Sequence, residues 1–301
     1  MNTNKLLVCA FLACLAMVSA VAADEPVRPV GPTQTKVAAR QVLYVGYREE
    51  ALPFSYLVPG RAEPVGYMWD VCTSVFAAVR AVAGNALRVV PISVTENART
   101  MMLKTGITDL DCGGAGNTVA RQKQVDLSYN VYVSEIKIMV RKDGGIGSFE
   151  QLAGRKLVTL AGGSAERHVK HAALGSNITF VHLLAGTPQE AMTQLAQGEA
   201  DAFAADDVVL AAQRASSPGD FVILETALAR EPYAIMLPKD DAAWKKLVDD
   251  ALVGLMQSGE LERIYEKWFL NPIPPLGHSL VLPMSPSLKA AIQAPGDVPV
   301  N

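Results

Sequence analysis

The chain has 301 residues, half of them hydrophobic, which is too apolar for disorder and long enough for two globular lobes of ordinary size. Lys and Arg number 27 against 30 Asp and Glu, a formal net charge of -3, so no positive surplus exists to hold nucleic acid or an anionic membrane. Any functional charge must be local, and small ligands suit that balance better than polymers.

The first segment has the form of an export signal. Lys5 precedes an apolar run from Leu6 to about Val21, and small residues Ala20-Val21-Ala22 stand before Ala23-Asp24, which assigns residues 1–23 to a cleaved signal peptide. The run is shorter than the ~20 residues of a spanning helix. Lipidation at Cys14 is the alternative, but Phe11-Leu12-Ala13-Cys14 lacks a Leu three residues before the Cys. Residues 24–40 hold three Pro and no periodicity, so they are expected to be a flexible leader. Cys9 and Cys14 leave with the signal. An oxidising compartment then invites one disulfide between Cys72 and Cys112, with two free buried thiols as the other possibility.

The fold is expected to begin near Gln41. Val42–Gly46 is a short apolar run suited to a buried parallel strand, and Tyr47-Arg48-Glu49-Glu50 places charge where that strand ends, the end at which open α/β sheets take ligands. Arg48 is thus a ligand contact or a solvated loop charge. Pro53–Tyr56 and Pro64–Tyr67 flank a turn, Trp69–Val82 has helical spacing, and Arg88–Ile92 is a strand. A helix is expected from Thr95, capped by Ser93 or Thr95 and ended by Gly106; on it Glu96 and Arg99 share a face. The stretch from Asp109 to Gln124 carries a strand into Gly113, Gly114 and Gly116, and a helical turn opening at Asn117 or Thr118 presents Arg121. Helix-opening amides and one guanidinium over a glycine loop suit a carboxylate; an ordinary turn with a solvated Arg is the plainer alternative.

The long strand Tyr132–Arg141 follows, and after Lys142-Asp143-Gly144-Gly145 the pattern resets. A short helix Ser148–Ala153, a strand Lys156–Leu160 and a second glycine turn, Gly162-Gly163-Ser164, open a second α/β lobe. It continues with a strand Ile178–Leu183, a helix Pro188–Gln197, a strand Ala200–Ala204 and a helix from Asp206 or Asp207 to Arg214. Tyr233–Leu237 pairs in character with Glu135–Val140, so these two runs are expected to cross between lobes. That divides the chain into lobe 1 (residues 41–139 and 235–301) and lobe 2 (residues 140–234). Two helices between Asp240 and Leu270 and a Pro-rich tail would pack back on lobe 1. No phosphate loop, Cys or His metal set or Gly-x-Ser-x-Gly elbow occurs, so the sequence offers no cofactor, metal or catalytic site. His168 and His171 fit a solvated helix face better than a metal pair.

The residues Val45-Gly46-Tyr47-Arg48-Glu49 with Pro53-Phe54-Ser55-Tyr56, Cys112-Gly113 with Arg121-Gln122-Lys123-Gln124, Asp206-Asp207, and Lys267-Trp268-Phe269-Leu270-Asn271-Pro272-Ile273-Pro274-Pro275 carry a resemblance. The chain resembles the periplasmic glutamate/aspartate-binding proteins of ABC importers, within the family 3 extracellular solute-binding proteins. The resemblance implies a type II two-lobe α/β fold with two crossover strands, a periplasmic monomer, an amino-acid or dicarboxylate ligand, and an inner-membrane ABC permease as partner. It makes Arg121 the α-carboxylate ligand, Asp206 the α-ammonium partner, Arg48 and Arg99 the grip on a side-chain carboxylate, and Ser164 a hydroxyl reaching the α-carboxylate. Three Arg and one Asp complement two carboxylates and one ammonium.

Four positions depart from that branch. Glu96 replaces a Ser, Gly114 and Gly116 replace Ser and Thr, and Pro188 stands where a His is expected. If Glu96 neutralises Arg99, the side-chain pocket suits an amide, a neutral residue or a differently shaped acid; alternatively Glu96 points to solvent. The Gly114 and Gly116 amides can still donate. The same scaffold also hosts periplasmic cyclohexadienyl dehydratases, for which Glu96 is the one evident acid, and sensory binding proteins.

Overall fold

The structure, a computed structural model, describes residues 30–217 and 219–300; the signal peptide, Cys14 and the first part of the leader lie outside the described residues. The rest of the leader is not irregular. Helix α1 (Pro32–Arg40) forms there because Pro32 suits a first helical turn, Val37 and Thr33 are buried, and the Asp241 carboxylate accepts from the Thr33 amide at 2.9 Å. Lys36 Nζ lies 2.9 Å from Asp109, which Arg40 also engages. Only two residues of the helix face inward, so no apolar period marks it.

Strand β1 (Val42–Tyr47) leads through a small hairpin, β2 (Glu50–Ala51) and β3 (Ser55–Tyr56), to helix α2 (Tyr67–Ala83), which buries Val71, Cys72, Val75 and Val79 at helical spacing. Then come β4 (Arg88–Ser93), α3 (Arg99–Lys104), β5 (Leu110–Gly116), the single turn α4 (Val119–Gln122), β6 (Asp126–Leu127) and the long β7 (Tyr132–Arg141). The second half runs β8 (Lys156–Leu160), α5 (Ser164–Ser176), β9 (Val181–Ala185), α6 (Pro188–Ala196), β10 (Ala202–Asp206), α7 (Asp207–Ser216), β11 (Phe221–Ile223) and β12 (Ala229–Leu237). Helices α8 (Ala242–Gln257), α9 (Glu260–Tyr265) and α10 (Pro286–Gln293) complete it.

A ten-stranded sheet takes the order β4-β1-β5-β12-β7-β10-β8-β9, with β6 on β12 and β11 on β7. Its outer pairs are parallel, as βαβ spacing requires, whereas β12 runs antiparallel to both β5 and β7. The two long strands therefore lie side by side at the middle of the sheet and carry the chain across it. Along β7, Ile138 and Val140 join one apolar cluster and Met139 another; Ala202 and Ala204 of β10 side with the first, Phe203 and Ala205 with the second. That alternation is the period of a strand buried on both faces. In the other half, α2, α8 and the aromatic run Tyr265, Trp268 and Phe269 pack on β1 and β5, and Leu280 and Leu288 of the tail join the same cluster.

Several expected boundaries move. The helix expected from Thr95 begins at Arg99, because Thr95–Ala98 forms a turn closed by its own Thr95 hydroxyl. The strand placed at Ile178–Leu183 is Val181–Ala185, since α5 continues to Ser176 and pairing with β8 sets the register. The second crossing strand starts at Ala229, four residues before the apolar run, and α10 is an additional helix.

Cys72 of α2 and Cys112 of β5 are bonded, with Cα atoms 6.4 Å apart. The bond closes a separation of 40 residues that contains the rest of α2, β4 and α3. Replacing both Cys by Ser should lower the unfolding free energy by about 2–4 kcal/mol in urea titrations, and reductant should have the same effect on the native chain.

Asp207, 3% exposed, seats the first turn of α7 against β7: its carboxylate accepts from the Val208 amide at 2.8 Å and from the Tyr132 hydroxyl at 3.3 Å. Burial, and then the charge of Asp206, push its carboxyl from 3.8 up to about 7. A raised value favours folding while the folded chain holds a proton that the unfolded chain has lost, and that contribution disappears as pH rises through about 7. The ligand-free protein should therefore lose roughly 1–2 kcal/mol between about pH 5.5 and 8, and Asp207→Asn should flatten the slope, as read by denaturant unfolding at each pH.

Candidate ligand-binding site

The site is built where β5 turns into α4. Gly114 has φ +69°, a conformation that disfavours a side chain, and a Cβ on Gly113 would stand 2.9 Å from Arg48 Cγ and 3.0 Å from Arg99 Nη2. The glycines let this loop lie flat against two arginines. Thr118 caps the following turn by accepting from the Arg121 amide at 3.2 Å. That turn is only four residues long, so its macrodipole is small and the charge for an anion comes from the Arg121 guanidinium. Arg121 Nη1 donates to the Gly116 carbonyl at 2.8 Å, which fixes the head group.

A cavity of about 430 Å³ opens in front of this loop. Arg48, Glu96, Gly114, Gly116, Arg121, Ser164 and Asp206 all line it, so the structure brings together seven of the eight residues singled out from the sequence. Arg99 is not on the cavity wall. It is 1% exposed and lies behind the wall, paired with Asp111 through two contacts and donating to the Gly114 carbonyl at 3.2 Å. Pro188 begins α6 and does not line the cavity.

Glu96 is half exposed, on the cavity wall, and does not pair with Arg99 alone. Its Oε1 accepts from Arg121 at 2.7 Å, and its Oε2 accepts from Arg99 at 3.1 Å and from Arg48 at 3.2 Å. Burial would raise this carboxyl, but the charges of Arg99 and Arg121 and the hydrogen bond from Arg99 outweigh it and hold the group below its ordinary value. Burial works against the Arg99 cation too, and Asp111 more than compensates, leaving that guanidinium firmly charged.

The opposite wall carries two carboxylates, Asp206 and Glu231, and one guanidinium, Arg167, 3.8 Å from Glu231. Asp206, at the junction of β10 and α7, accepts from the Ser134 hydroxyl at 2.7 Å and from the Tyr233 hydroxyl at 3.2 Å, while burial raises its carboxyl against the Ser134 bond. Glu231 of β12 also lines the cavity. Ser164 Oγ donates to it at 3.0 Å, and His168 Nε2 stands 3.0 Å from its other oxygen. Ser164 is thereby turned toward a carboxylate of the protein, and His168 is a partner of Glu231 instead of a solvated face. Phe54, packed against Tyr132 and Tyr233 with ring centroids 4.8 and 5.4 Å apart, gives the cavity an aromatic floor.

Sequence reasoning missed Glu231, Arg167, Tyr233 and Val300 as lining residues. Glu231 precedes the apolar run that marked the strand, and its one signal was a charge two residues before Tyr233 on the same strand face. Val300 pairs with Thr118 and accepts from the Val119 amide at 3.0 Å, a contact between residues far apart in sequence with no local pattern.

Residues 43–271 match the family model described as bacterial extracellular solute-binding proteins, family 3. The L-glutamate/L-aspartate-binding protein of Pseudomonas aeruginosa is 35% identical over 286 residues, covering 94% of this chain and 93% of that one. The glutamate/aspartate import solute-binding protein of Escherichia coli K12 is 32% identical over 295 residues, 97% of each. In fold, the ancestral cationic amino-acid solute-binding protein AncCDT-1 superposes with a TM-score of 0.65 at 24% identity, over 78% of this chain and 99% of the other. A polar amino-acid uptake transporter binding protein of Streptococcus thermophilus gives 0.62 at 19% identity, over 87% and 97%. A type II two-lobe sheet, an arginine wall facing an acidic wall, and these matches over most of its length together place the chain in family 3 of the bacterial extracellular solute-binding proteins.

Proposed function

We propose that the protein captures glutamate, aspartate or a related acid in the periplasm, as a monomer, and presents it to an ABC permease of the inner membrane. The observation that carries this reading is the bipolar cavity: Arg48 and Arg121 stand on one wall, past the ends of β1 and β5, with Glu96 between them, and Asp206 and Glu231 stand on the other, at β10 and β12, with Arg167 against Glu231. A free α-amino acid has the same polarity. In this reading Arg121 holds the α-carboxylate with help from the Gly114 and Gly116 amides, Asp206 holds the α-ammonium, and Arg48 faces the side-chain end with Arg99 behind it. Ser164 and Glu231 then complete the ammonium side. The lobes divide where β7 and β12 cross, near residues 139 and 235, so that closing them brings the two walls onto one ligand.

Two further features support capture and delivery. The relatives matched over nearly their whole length are named for glutamate and aspartate binding. The dehydratase alternative rested on Glu96 as an acid, and a carboxylate held ionised by three guanidiniums has no proton to give at neutral pH.

Arg121→Ala leaves a ligand carboxylate in a closed cleft without its charged partner. Calorimetry on protein stripped of ligand by unfolding and refolding should show affinity for glutamate or aspartate falling by roughly 2–5 kcal/mol. Affinity within about threefold of the parent would exclude Arg121 as the carboxylate ligand.

A further inference from the structure

The charges on the arginine wall give the second carboxylate of a ligand less than a full counter-charge. Three guanidiniums, Arg48, Arg99 and Arg121, pair with two protein carboxylates, Glu96 and Asp111, which leaves one positive charge in that network, and Glu50, which also lines the cavity, adds no cation. An α-carboxylate at Arg121 uses that charge. Whatever the ligand extends toward Arg48 must then pass Glu96, because Glu96 bridges Arg121 on one oxygen and Arg48 on the other. A second ligand carboxylate in that place meets an ionised carboxylate beside an already shared guanidinium.

A carboxamide meets a better match. Its N–H groups can donate to Glu96 Oε2 while its carbonyl accepts from Arg48, and it brings no net charge. Resting on the amino-acid reading above, we infer that Glu96 is a specificity-determining residue that makes the side-chain end of this cavity accept the ω-amide, so that glutamine or asparagine binds alongside the corresponding acid. The residue does this by position and charge: 47% of its side chain is exposed, on the cavity wall, and the arginines that hold it are themselves fixed by Asp111 and by the Gly114 and Gly116 carbonyls.

The test is calorimetry on the full exported chain, ligand-free, with glutamine, asparagine, glutamate and aspartate, for the parent and for Glu96→Ser. The readout is the ratio of acid to amide affinity within each variant, which a merely structural loss would leave unchanged because it weakens both ligands equally. The parent should bind an amide within about tenfold of its acid, and Glu96→Ser should shift the ratio toward the acid by about tenfold or more. Glu96→Gln keeps the shape and removes the charge, so it should move the ratio in the same direction even if the Ser variant folds poorly. A shift below about tenfold in both variants, or a parent that rejects both amides while binding the acids, overturns the inference and leaves the acidic-ligand reading standing. A parent that binds none of the four overturns the amino-acid reading itself, and one that binds amides alone supports amide acceptance at Glu96 while overturning the acidic ligand of the proposed function.

Discussion

Three guanidiniums gathered at one end of a sheet must find negative charge, and the way this chain supplies it governs the rest of the site. Asp111 lies under Arg99 and neutralises it within the wall; Glu96 reaches across the face to all three arginines. Buried ion pairs contribute little net stability once desolvation is counted, but breaking one strands a charge, so such a cluster holds geometry more than it holds the fold. Here it keeps Arg48 and Arg121 aimed at the cavity. The glycines of β5 are a consequence, because a side chain at Gly113 would occupy the space of Arg48 and Arg99.

The fold presents this wall to its opposite number through the two long central strands. β7 and β12 run side by side, carry Ser134 and Tyr233 beneath Asp206, and bring Glu231 to the cavity. Residues that touch the acidic wall therefore sit on the strands that join the halves. In the proposed reading, a ligand that draws the walls together would act directly on the crossings, so that binding and closure share one set of contacts.

What the sequence made legible is what local patterns encode. The apolar run Glu135–Val140 and the segment Ala200–Ala204 marked strands, the glycine loop before Arg121 marked a strand end and turn that line the cavity, and two remaining cysteines marked a disulfide. Motifs placed seven residues around one cavity. The unreadable parts depend on partners distant in sequence. Helix α1 owes its shape to Asp109 and Asp241, the start of β12 to register with β7 across Arg230-Glu231-Pro232, and the Val300 contact to a strand end that offers Thr118 a neighbour. Glu96 shows the same limit. Its spacing from Arg99 was visible, yet its simultaneous hold on Arg48 and Arg121 arises only when β1, α3 and α4 converge. Arg99, taken from motif position as a ligand contact, is instead covered, because Asp111 two residues before the glycines reaches it first.

The central claim is that one ligand spans both walls, its α-carboxylate on Arg121 and its ammonium on the acidic side. Calorimetric titration of ligand-free protein with glutamate, with glutarate, which lacks the ammonium, and with 4-aminobutyrate, which lacks the α-carboxylate, tests it most directly. The account predicts saturable glutamate binding and a loss of about 100-fold or more for each analogue, since each leaves one wall with an unmatched charge. Glutarate binding as tightly as glutamate would contradict it, for the acidic wall would then hold no ammonium.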